Sequence, residues 1–475
     1  MGRHNPTEDS VALVAGVDSS TQSVKVAVCD VESGAIVRSS RAAHPEGTEV
    51  SAEAWWTAYQ KAAADPALLE GVEALAVAGQ QHGMVTLDER GELVRDALLW
   101  NDNRSAPDAT DLIEELGGGQ PWADAVGTVP VASMTIAKVR WLARAEPENA
   151  ERTTAVVLPH DWLTWRIGAQ SFAPTTDRGD ASGTCYFDAS ANEYRLDLVD
   201  RALGHALDLP RVARPDEIVG TTPGGIKIAA GTGDNMAAGL GLGLGPGEAV
   251  VSLGTSGTAF ASSTRQTHEP TGTVAGFADA TGQFLPLVCT LNGARNLVAT
   301  AKLLGVGLDE MSRLALSAPA GSEGVTFVPY LEGERTPPLP QAQGELLGLT
   351  LANFTPANLA RATIEGVLWS LAYGVDVLRE QVGTISRITL TGGASQSPAV
   401  HTIATAVFGL PIAVTESFES VAVGAAKQAA WALTGGLPEW KVPVLSEHEP
   451  SEADVRSSAE ISERYRSILQ SHYQG

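Results

Sequence analysis

Two acids and three turns, one rich in hydroxyls and two hinged on glycine, hold most of the chemistry this sequence offers. Asp234 follows an apolar run and Gly231-Thr232-Gly233 at once, and a stretch of small residues, 236–244, comes after it. An acid at a helix start can take a proton from a bound hydroxyl, or it can simply cap the helix. Asp18 lies in Val17-Asp18-Ser19-Ser20-Thr21, a hydroxyl-rich turn between two apolar strands with Lys25 just beyond. Gly254-Thr255-Ser256-Gly257 is a second such turn, after the β-rich run 249–253. Glycine lets backbone N–H groups lie against phosphate, although the same residues also make ordinary hairpins. Thr391-Gly392-Gly393-Ala394 is a third, between a strand at 385–390 and a helix at 399–408, a position that suits a phosphate or a flat ring.

Two polar clusters stand where strands should end: Gln80-Gln81-His82 after a strand at 72–78, and Trp100-Asn101-Asp102-Asn103 after 97–100. Open α/β sheets bind ligands at such ends. The side chains both donate and accept, as a polyhydroxylated ligand requires. Read separately, His82 suits a satisfied interior histidine and Trp100 a core residue.

The elements that must position these groups alternate strand and helix, an α/β pattern. The turns at 17–21 and 252–256 sit alike between apolar strands, a weak repeat that suggests two related halves. Helices are expected at 50–64, 356–381 and 421–433, a polar loop at 175–184, and an acidic linker with a polar helix near 460–470 in the tail. The 475 residues exceed one core. A net charge of −24 argues against nucleic acid or an anionic membrane as partner. Three scattered cysteines, no membrane-length apolar run and an N-terminus without a signal-peptide core point to a cytoplasmic protein whose first ten residues fray. A homodimer is compatible with the sequence, but nothing in it selects an oligomeric state. Walker A, dinucleotide and metalloprotease patterns are absent.

In order and combination, these pieces resemble the FGGY carbohydrate kinases, and within them the xylulose-kinase branch. Gly16-Val17-Asp18, Gly79-Gln80-Gln81-His82-Gly83, Trp100-Asn101-Asp102, Gly233-Asp234-Asn235, Ser252-Leu253-Gly254-Thr255-Ser256-Gly257, residues 330–337, Thr391-Gly392-Gly393-Ala394 and Gly424-Ala425-Ala426 carry the resemblance over nearly the whole chain. It implies two actin-like, RNase H-type α/β domains at 11–244 and 245–436, a tail at 437–475, and a catalytic cleft between the domains. It implies transfer of the γ-phosphoryl of ATP, with Mg²⁺, to the 5-hydroxyl of D-xylulose. Asp234 then matches the general base and Asp18 the acid near phosphate and metal. Gln81, His82, Trp100, Asp102 and Asn235 join Asp234 around the sugar. Ser20, Thr21, Lys25, Gly254, Thr255, Ser256, Gly392, Gly393 and Ala394 match nucleotide contacts. Ser20 stands where the family pattern has glycine, and Gln81 where many xylulose kinases have methionine. Other readings are an FGGY kinase for ribulose, fuculose, glycerol or gluconate, and a non-catalytic nucleotide clamp or sugar-sensing regulator. A regulator would be expected to add a basic helix-turn-helix, for which the N-terminus leaves no room.

Overall fold

The computed structural model describes residues 12–416 and 419–473; the segment 1–10, expected to fray, lies outside them. The chain forms two compact units. The first takes the described residues up to Gly243 together with Gly276–Phe284 and Glu419–Val442, and the second takes the rest.

In the first unit, β1 (Leu13–Ser19), β2 (Ser23–Asp30) and β3 (Ile36–Ala43) form an antiparallel meander. On its other edge β1 pairs in parallel with β4 (Val72–Gly79). β5 (Ile218–Thr221) and β6 (Lys227–Ala229) extend the sheet in the order β5-β6-β4-β1-β2-β3, and β7 (Thr232–Gly233) also pairs with β4. β1 and β4 are nearly unbroken apolar runs, as strands covered on both faces must be. One cover is the helix Ser420–Thr434, which comes within backbone contact of the sheet. A Cβ on Gly16 would stand 1.8 Å from the Ala422 carbonyl oxygen. The same helix meets the helix Asp234–Gly241 through glycines on both sides: a Cβ on Gly424 would stand 1.8 Å from the Ala237 oxygen, and one on Gly241 2.1 Å from the Ser420 oxygen. Side chains would hold these backbones apart, so the alanine and glycine content of 420–434 is a docking requirement.

The second unit repeats the plan. β8 (Glu248–Leu253), β9 (Gly257–Ala261) and β10 (Phe284–Thr290) make the meander. β8 pairs in parallel with β11 (Arg387–Thr391), followed by β12 (Ile412–Thr415) and β13 (Val444–His448), in the order β10-β9-β8-β11-β12-β13. Read from β13 to β10, these six strands match the first unit's order from β5 to β3, and the second sheet carries one further strand, Ala275–Ala278, beyond β10. Against this sheet lies the 27-residue helix Pro356–Val382, started by the Thr355 side chain accepting from the Asn358 N–H and by proline in its first turn.

Two expectations are corrected. The polar stretch 175–184 is not a loop: Thr175–Asp177 is a strand and Arg178–Ser182 a short buried helix capped by Asp177, which accepts from Gly179 and Asp180 N–H. In the tail the polar helix expected near 460–470 is present but longer, and the stretch expected to be an acidic linker is not one. β13 adds an antiparallel strand to β12, and the helix Glu452–Tyr473 buries Ile461, Tyr465 and Leu469 at i, i+4 and i+8. Tyr465 stacks on Trp369 of the long helix at 4.5 Å. No helix among the described residues is long and apolar enough to cross a membrane.

Candidate active site

Register brings the polar residues of the first unit together. Asp18 of β1 and Thr232 of β7 lie on either side of Ala78 in β4, and Ser19 and Gly233 on either side of Gly79. Three parallel strands therefore end at one level, with Asp18 and Thr232 about 10 Å apart across β4. Asp234, Gln80 and Ser20 step off that edge together.

Asp18 is 2% exposed. Ser20 donates a hydrogen bond to its carboxylate. Lys25, its partner across the hairpin, holds its ammonium 3.8 Å from the Asp18 carboxylate and also pairs with Glu419. Burial raises the Asp18 carboxyl above its usual range against the opposing pull of Ser20 and Lys25. Asp234 is not the N-cap of its helix; Gly233 is. The Asp234 carboxylate accepts from the Asn235 N–H at 2.8 Å and from the Asn235 amide at 3.0 Å. Desolvation first, then the negative charges of Asp18 and Asp180, push its carboxyl up to about 7. A carboxyl poised at neutrality is what a general base needs.

Asn235 spans the site, donating through its amide to Gln81 Oε1 at 2.8 Å. The amide nitrogen of Gln81 is buried with no partner among the described residues, a donor left for something bound. His82 adopts φ +67°, and its ring packs over Gly183 and lies 5.3 Å from the Phe277 ring. Trp100 is not a core residue: it is 38% exposed, and its indole donates to the Thr21 hydroxyl at 2.8 Å. Asp102 is buried and occupied, accepting from Thr48 at 2.7 Å and from the Arg104 backbone and guanidinium. Burial works against its ionisation, but these partners hold it below the usual carboxylate range.

In the second unit the two remaining glycine turns leave adjacent parallel strands, since Ser252 is in register with Thr391. Gly392 is required by the fold: φ is +93°, and a Cβ there would stand 2.7 Å from the Leu253 oxygen. Gly393 is not: a Cβ on it would meet nothing within 4 Å. At Gly254 a Cβ would meet only the Ser256 oxygen of its own turn, at 3.5 Å. Glycines unneeded by their own protein on an exposed turn leave room for a ligand to approach the backbone. Thr255, Ser256 and Ala394 line the same turns, and Thr255 is exposed.

Comparison with known proteins identifies the family. The sequence profile of the FGGY family of carbohydrate kinases, N-terminal domain, matches residues 13–241, and that of its C-terminal domain matches 249–433. The chain belongs to the FGGY family of carbohydrate kinases. Family membership makes it a two-domain α/β kinase with ATP as phosphoryl donor. A xylulose kinase of Streptomyces coelicolor is 46% identical over 439 residues, covering 89% of this chain and 88% of the relative. One from Streptomyces rubiginosus is 45% identical, with coverages of 90% and 89%. The crystal structure of xylulose kinase from Bifidobacterium adolescentis superposes with a TM-score of 0.88 at 44% identity, covering 95% of this chain and 99% of that one.

Four groups near the family's motifs carry no motif signal themselves. Glu419, partner of Lys25, is far away in sequence. His160, Asp177 and Asp180 form a buried charged cluster behind β7. Pro159-His160-Asp161 after a strand and an acid on either side of Arg178-Gly179 were the only hints of it.

Proposed function

We propose that the protein phosphorylates D-xylulose on its 5-hydroxyl at the expense of ATP, with Asp234 as general base. The observation that carries this reading is the Asp234 carboxyl, held near neutrality next to Asp18 and linked through Asn235 to Gln81. The names of the two Streptomyces relatives and of the Bifidobacterium structure supply the ketose.

In this mechanism Gln81, His82, Trp100, Asp102 and Asn235 orient the sugar. Asp234 accepts the hydroxyl proton as the oxygen attacks phosphorus, a step worth ~10²–10⁴ in rate. Gly254, Thr255, Ser256, Gly392, Gly393 and Ala394 hold the nucleotide, and Ser20, Thr21 and Lys25 meet its phosphate end. The carboxylates of Asp18 and Glu419 are hard oxygen donors of the kind Mg²⁺ prefers, so they fit a phosphate-bound Mg²⁺, which supplies charge neutralisation when bound. Already accepting from Thr48 and Arg104, the Asp102 carboxylate acts by shaping the strand end rather than as a proton acceptor. A cytoplasmic setting suits free cysteines, two of them buried.

The test is sugar-dependent ADP release with D-xylulose, ribulose, fuculose, glycerol and gluconate. D-xylulose is expected to give the highest kcat/KM, and Asp234→Asn to lose at least ~10²-fold in kcat while still binding ATP. Near-normal turnover by that variant refutes the base assignment, and preference for another acceptor refutes the substrate.

A further inference from the structure

Behind the edge that carries Asp234 lies a set of buried charges that the phosphoryl-transfer reading does not use. His160 is fully buried, with its Nδ1 2.7 Å from Asp180 Oδ2 and 3.3 Å from Asp161 Oδ1, and its Nε2 4.0 Å from Asp177 Oδ1. Four titratable groups without solvent would be costly unless each had a task or a partner. Asp177 is fully committed: one oxygen accepts from the Asp180 N–H at 2.9 Å, the other from the Gly179 N–H and the Thr232 hydroxyl, both at 2.8 Å.

The Thr232 bond is the consequential one. Thr232 and Gly233 are the whole of β7, two residues paired to the end of β4, and Asp234 follows directly. Two residues of pairing are weak tethering for a base that must be placed to within a fraction of an ångström. The surroundings are built tight enough to transmit the restraint. A Cβ on Gly79 would stand 2.7 Å from His160 Cβ, and one on Gly231, where φ is +77°, 2.9 Å from His160 Cδ2. A Cβ on Gly179 would stand 2.8 Å from Met236 Cγ, in the first turn of the Asp234 helix.

We propose that Asp177 and Asp180, compensated by His160, are positioning residues for Asp234: Asp177 pins β7 through Thr232, and Asp180 contributes a negative charge behind the base. The inference rests on the reading of Asp234 as the base. The charges that act on the Asp234 carboxyl are those of Asp18 from β1 and Asp180 from the short helix, with Lys25 and Glu419 beyond Asp18 and His160, Asp161 and Asp177 around Asp180; Gln81, Asn235 and Met236 are neutral.

Two near-isosteric variants test it in the full-length enzyme. Thr232→Val removes the pinning hydroxyl and keeps the shape. Its kcat is expected to fall about tenfold or more with KM for ATP within twofold, because misplacement by about 1 Å costs on the order of 10²-fold. Asp180→Asn removes one negative charge, so the acid limb of its pH–kcat/KM profile is expected to move to lower pH by half a unit or more. Loss of fold stability alone would move neither the kcat–KM split nor the limb. A Thr232→Val kcat within twofold of wild type overturns the proposal, as does an Asp180→Asn limb that stays put or moves up; if Asp180→Asn does not fold, Thr232→Val decides alone. Asp234→Asn run in parallel separates the two failures. Its inactivity beside two wild-type-like variants sinks only the positioning role, whereas its activity sinks the base.

Discussion

Replacing Asp234 by asparagine should make the protein more stable as it makes it inactive. The folded state pushes this carboxyl from the ordinary 3.8 to about 7, first by desolvation and then by Asp18 and Asp180. At about 1.36 kcal/mol for each tenfold change in the ionisation constant, that rise is about 4 kcal/mol of destabilisation above pH 7 for a fully buried group. Asp234 keeps some solvent contact, so about 1–2 kcal/mol is the working figure. The sign follows from proton counting. Between about pH 4 and 7 the folded state holds a proton that the unfolded chain has released, so stability falls as pH rises through that window and stays reduced above it. Asparagine never ionises, and its oxygen still accepts from Asn235. Asp234→Asn should therefore raise Tm by about 1–4 °C at pH 8, with roughly two fifths of the gain left at pH 5. Thermal unfolding of both proteins at the two pH values is the assay. An equal or lower Tm for the variant at pH 8 would refute the account of a destabilising carboxylate at this position.

The same raised carboxyl predicts that wild-type kcat/KM for the sugar falls on acidification below about pH 7, about tenfold per pH unit at the limit, in a pH–rate profile. Gly424→Ala should cost several kcal/mol, read as loss of soluble yield or a sharp drop in Tm, because its methyl would stand 1.8 Å from the Ala237 oxygen. Gln81→Leu removes the acceptor for the Asn235 amide and the unpartnered donor beside it; KM for the ketose should rise about tenfold or more with KM for ATP unchanged, measured by varying each substrate in turn.

The edge proposed to react was legible because its residues are local signals. Asp18 and Asp234 each follow a short apolar run, and a strand end next to a polar turn is where such sheets put ligands. The repeat between the turns at 17–21 and 252–256 extends to the order of six strands in each sheet. The resemblance to a family added the reaction, which no spacing alone could supply. What escaped was long-range. Residues 175–184 read as a loop because Asp, Gly and Ser favour turns, and the contact with the His160 ring that helps an acid-bearing helix lie buried comes from a distant part of the sequence. The start of the tail read as a linker because acidic residues are frequent in it, and the helix expected at 460–470 read as merely polar, although three apolar side chains on one face were enough to dock it. His82 and Asp102 show the opposite limit: their types suggested sugar contacts, yet the geometry shows how much of each is already spent on Gly183, Phe277, Thr48 and Arg104.

The first unit takes its helical cover from residues 420–434, encoded far downstream of the strands it shields. During synthesis, β1 and β4 must wait with one apolar face open until the ribosome has translated nearly the whole second unit. A nascent chain in that interval offers glycine-flattened, unshielded sheet to any chaperone or sticky neighbour. Expression of the N-terminal half by itself should accordingly yield inclusion bodies, and supplying the 419–442 peptide in trans is the direct way to rescue it.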